Sequence, residues 1–80
     1  MSEFRFTNDY YWKIIFTSLH ENPPMEDEII MTWSNEIPPL ESMIEAIIMK
    51  REELAPFQHH IMVHRYHQVE ASLVFNDYNR

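Results

Sequence analysis

Tyr10-Tyr11-Trp12-Lys13-Ile14-Ile15-Phe16-Thr17-Ser18-Leu19 is the stretch on which the fold turns. It is rich in aromatic and β-branched residues, which suit a pleated, half-buried surface. Read as a strand, it places Tyr10, Trp12, Ile14 and Phe16 on one face, because side chains alternate with a period of two. A helix is the rival reading: Tyr11, Ile15 and Leu19 fall four apart, and Asn8 stands where an N-cap would. The density of β-formers favours the strand.

Upstream, Phe4 and Phe6 also share a strand face, and Asn8-Asp9 offers a tight turn because both residue types tolerate left-handed backbone. Downstream, Pro23-Pro24 and Pro38-Pro39 mark boundaries, since proline lacks an amide donor and restricts the residue before it. Between these pairs, the acidic run Glu26-Asp27-Glu28 leads into a short strand in which Ile29, Met31 and Trp33 alternate with Ile30, Thr32 and Ser34. A helix is expected from about residue 39 to 54. Proline suits its first turn, and Leu40, Met43, Ile44, Ile47, Ile48 and Leu54 form an apolar stripe at helical spacing. Glu41, Glu45 and Glu52 lie opposite, Lys50 and Arg51 suit the negative C-terminal end of the helix dipole, and Pro56 ends it. In the last segment, Val69, Ala71, Leu73 and Phe75 alternate with Glu70, Ser72, Val74 and Asn76, as in a half-buried strand. Ile61 and Val63 extend that character upstream, as one long bent strand or as two with a turn near Tyr66-His67. The expected fold is α+β: a single domain over residues 1–80, with an antiparallel sheet of four to five strands and one helix packed on a face.

Composition narrows function mainly by exclusion. Eighty residues bury one modest core and leave little room for a deep substrate cavity. There is no cysteine, so disulfides, thiolate zinc sites and thiol nucleophiles are excluded. There is no glycine, so neither a phosphate-cradling loop nor a GxSxG nucleophile elbow can form. The N-terminus has no apolar signal core and no run is long enough to span a bilayer, so the expected location is the cytoplasm, that of the host cell if a phage encodes the chain. No cofactor is expected, and no spacing singles out a nucleophile, base and orienting group, so the chain is not expected to be an enzyme.

The charge is unevenly placed. Residues 21–45 hold seven carboxylates, Glu21, Glu26, Asp27, Glu28, Glu36, Glu41 and Glu45, with no lysine or arginine; the other charges balance, so this window equals the whole net charge of −7. Such a chain is repelled by nucleic-acid phosphates and by anionic membranes and attracted to basic protein surfaces. A solvated, solubilising surface is the plain alternative. Trp33 sits between the acidic run and a polar loop, and tryptophan is enriched at binding hot spots, so these seven acids around Trp33 form the expected contact set. In size and charge alone the chain looks like the small acidic bacteriophage proteins that block restriction or CRISPR effectors, some by imitating nucleic-acid phosphates. The expected partner is accordingly a protein with a basic surface, such as a nucleic-acid-binding effector, and the expected role is that of an inhibitor or adaptor. This reading requires the carboxylates to gather on one surface without being consumed by internal ion pairs, and it predicts that reversing Glu26, Asp27 and Glu28 leaves the fold intact.

Two alternatives remain. Unprotected sheet edges would suit a structural subunit or homodimer. His60, His64 and His67 would share a helix face and could bind a metal. On a strand, however, His60 and His64 stand about 13 Å apart at roughly 3.3 Å per residue, and His67 points to the opposite side.

Overall fold

A computed structural model describes residues 10–70. It is α+β. Strands β1 (Tyr10–Ser18), β2 (Glu26–Trp33) and β3 (Ile61–Val69) form an antiparallel sheet in the order β2-β1-β3. Helix α1 (Leu40–Lys50) is followed by a 3-10 segment, Glu52–His60.

Tyr10–Ser18 is the central strand, with the expected apolar face turned inward. Trp12, Ile14 and Phe16 are buried and pack with Ile29 and Met31 of β2, Met43 and Ile47 of α1, and Leu54. The register makes this possible, since Ile14 stands opposite Ile29 and Trp12 opposite Met31. Complete burial of such a side chain contributes about 1.5–3 kcal/mol, so this cluster is the main source of stability. The buried Trp12 indole N–H donates to the Ser34 carbonyl at 3.0 Å, which removes the cost of an unpaired donor.

Among the described residues the sheet has three strands; the strand expected at 3–7 and the part of the alternating 69–76 segment beyond residue 70 lie outside them. One sequence expectation, the extent of the helix, needs correction. The helix is shorter than residues 39–54: it ends at Lys50, and the chain continues in 3-10 turns that contain Pro56 and kink at Phe57 (φ −117°, ψ 25°). Leu54 is fully buried, but from this second segment rather than from α1, and Leu40 is largely exposed. Strand β3 runs unbroken through Tyr66-His67, so of the two alternatives for this segment the single strand holds over Ile61–Val69. It is irregular elsewhere. Ile15 pairs with Arg65 while Phe16 pairs with Val63, which leaves His64 as the extra residue of a β-bulge.

Candidate partner-binding site

Strand β2 starts at Glu26, so the acidic run belongs to the sheet. Pleating then sends successive side chains to opposite faces. Asp27, opposite Phe16, turns to the helix side, and its Oδ2 accepts from Arg51 Nη1 at 2.6 Å. Glu28 lies on the other face and pairs with Lys13 at 3.5 Å; Glu26, also on that face, stands 3.9 Å from Arg65. Three consecutive carboxylates are thus divided between two faces, each facing a cation.

Arg51 sits just past the end of α1, where its amide donates to the Ile47 carbonyl at 2.8 Å. Its guanidinium also reaches Glu53 Oε2 at 2.6 Å and Glu21 Oε2 at 3.0 Å. The Glu53 hydrogen bond is the largest influence holding Arg51 above its ordinary value; partial burial opposes it, and Glu21 and Asp27 reinforce it. The same bond from Arg51 is the main cause of the lowered Glu53 pKa, with a backbone hydrogen bond second. Four of the seven carboxylates between residues 21 and 45 are therefore in internal ion pairs. The window is not one unpaired acidic surface, although Glu26 and Glu28 remain about half exposed.

The other three, Glu36, Glu41 and Glu45, are exposed, and none forms an ion pair within the described residues. Glu36 lies in the loop between Trp33 and α1. Glu41 and Glu45 are one helical turn apart on α1. Beside them, α1 runs back along β2 from the Trp33 end toward Asp27, leaving a groove of about 360 Å³. One wall is Ile30, Met31, Thr32 and Trp33; the other is Ser42, Glu45, Ala46, Met49 and Lys50. Met49 is 79% exposed, and Trp33 is half-buried against the core. The loop after Trp33 is held by two side chains from one face of the sheet, where Trp12 stands opposite Gln68: Ser34 by Trp12, and Asn35 Oδ1 by Gln68 Nε2 at 2.7 Å.

The histidines are dispersed. His60 closes the 3-10 segment, and its carbonyl accepts from the Leu19 amide at 2.8 Å. His64 Nε2 lies 2.5 Å from Thr17 Oγ1, and His67 stands across from Lys13. The bulge brings His64 and His67 to the same face, against the expectation of opposite faces. Even so, no three histidine or carboxylate side chains among the described residues are grouped as metal ligands. His20 stacks on Phe57 at 3.9 Å and bonds Ser18 Oγ through Nδ1 at 2.6 Å.

Of the residues expected from the sequence, Trp33 and Glu45 line this groove; Ala46 and Met49, which also line it, were not in the expected contact set. No helix among the described residues is long and apolar enough to cross a membrane. No protein-family model, curated protein or solved structure matches the chain.

Proposed function

We propose that this chain is a protein-binding module that captures a partner with a basic surface through the α1–β2 groove. The observation that carries this reading is an apolar groove that holds Trp33 and the exposed Glu45, with Glu36 and Glu41, likewise exposed and outside any ion pair among the described residues, in the loop and first helical turn that lead into it. An apolar centre with a charged rim suits protein recognition: the centre contributes affinity on desolvation, and the rim steers association. A nucleic-acid-binding effector offers such a basic surface. Inhibition of one in the cytoplasm, as by a phage or mobile-element anti-defence protein, is the form of this reading that small size and acidity favour.

The test is capture of partners from cell lysate by immobilised protein, comparing the wild type with E36K/E41K/E45K. The reading expects specific partners to be lost from the variant while its circular dichroism is unchanged. Retention of the same partners at the same yield refutes it.

A further inference from the structure

We infer that Met49 is a site of reversible oxidation by hydroperoxides, and that its oxidation changes the α1–β2 groove without unfolding the protein. The inference stands on exposure and placement and needs no partner. Oxidation of a thioether follows the access of the oxidant to sulfur. The methionines of the described residues differ widely in that access. Met31 and Met43 belong to the core cluster and are 9% and 3% exposed, whereas Met62 is 47%, Met25 67% and Met49 79% exposed. The exposed three differ in their surroundings. Met25 lies beside Glu21, Glu26, Asp27 and Arg51, and Met62 stands opposite Thr17 on β3. Of these three, Met49 alone lines the groove, together with Ile30, Trp33 and Ala46.

The step balances without a cofactor. A sulfur lone pair attacks one peroxide oxygen, the S–O bond forms as the O–O bond breaks, and the departing oxygen takes a proton and leaves as water or an alcohol. Sulfur gives up two electrons and the peroxide accepts them. The product sulfoxide is polar and chiral where the thioether was flexible and apolar. At Met49 the new oxygen is an acceptor open to solvent. Lys50, a cationic donor, lines the same groove, is exposed and forms no ion pair among the described residues. Oxidation here therefore avoids the cost of burying an unpaired polar group. At Met31 or Met43 the same oxygen would enter the cluster of Trp12, Ile29 and Ile47 and meet that cost in full. Exposure thus directs the oxidant to the groove and away from the core, and Trp33 in the same lining supplies an optical reporter.

The experiment treats the full chain with tert-butyl hydroperoxide at neutral pH and follows each methionine by peptide mass spectrometry. Two variants accompany the wild type: Met49→Leu, which keeps an apolar side chain of similar volume, and M25L/M62L, which leaves Met49 as the exposed methionine among the described residues. Met49 should oxidise at least about tenfold faster than Met31 and Met43. Tryptophan emission should shift in the wild type and in M25L/M62L but not in Met49→Leu. It should recover on treatment with methionine sulfoxide reductases that act on both sulfoxide epimers, and circular dichroism should stay unchanged throughout. The inference is overturned if Met49 oxidises no faster than Met31 and Met43, if Met49 oxidation leaves the emission unchanged, or if the shift persists in Met49→Leu. It is overturned equally if oxidation of M25L/M62L at Met49 abolishes the cooperative thermal transition.

Discussion

Arg51 Nη1 lies 2.6 Å from Asp27 Oδ2, which ties the end of α1 to the start of β2 across 24 positions of sequence. The same guanidinium holds Glu21 and Glu53, so one cation organises three carboxylates. Exposed single pairs contribute little, but a partly buried arginine shared by three acids contributes more. Arg51→Gln should lower unfolding free energy by about 1–2 kcal/mol. Urea denaturation will measure this; a midpoint equal to that of the wild type would show that the cluster is only decorative.

Acid should weaken the same joint. The Arg51 hydrogen bond lowers the Glu53 pKa. A carboxylate with a lowered folded-state pKa contributes stability that is present above its unfolded value and lost as pH falls through the folded value. Stability should therefore fall as pH drops below about 4.3, the ordinary glutamate range. In Arg51→Gln that acid-side dependence should be shallower. Thermal unfolding of both proteins between neutral and acidic pH tests the difference.

Ile47 is fully buried where α1 meets the sheet. Ile47→Ala removes buried apolar surface and leaves a cavity, at a cost of about 2–5 kcal/mol. Small domains have total stabilities of roughly 5–15 kcal/mol, so the variant should melt much lower, and calorimetry will read the shift. Leu40→Ala, on the same helix but largely exposed, should change the midpoint little.

Two triple charge reversals should separate structure from recognition. E26K/D27K/E28K places lysines beside Arg65, Arg51 and Lys13 and should destabilise the fold. E36K/E41K/E45K disrupts no ion pair among the described residues and should stay within about 0.5 kcal/mol per site of the wild type. Equal losses of melting temperature in the two variants would contradict the division of carboxylates described here.

Local patterning made much of this fold readable. The Trp12, Ile14 and Phe16 face of β1 and the Met43 and Ile47 positions of α1 follow directly from periods of two and 3.6. The missed features depend on distant partners. Glu26-Asp27-Glu28 resembles a solvated run until Lys13, Arg51 and Arg65 are brought opposite its members. A charge census over residues 21–45 does not include Arg51, although Arg51 holds two of those acids. Likewise, Leu54 fits the helical stripe numerically, but the chain has already left α1 when it enters the core. For the candidate site, Trp33 and the three exposed acids were visible in sequence. The groove was not, because it exists only once α1 lies along β2.

The extra residue in β3 has a further consequence. Ile61 and Val63 are odd-numbered and Tyr66 is even-numbered, yet Ile61 and Val63 pack against the core and Tyr66 contacts Trp12 at 6.4 Å. His64 changes the parity of the chain between them. Excising that residue would straighten the ladder without exchanging inside for outside. Excising one from the middle of β1, which has no such compensation, would invert half of the central strand and expel part of the core into water.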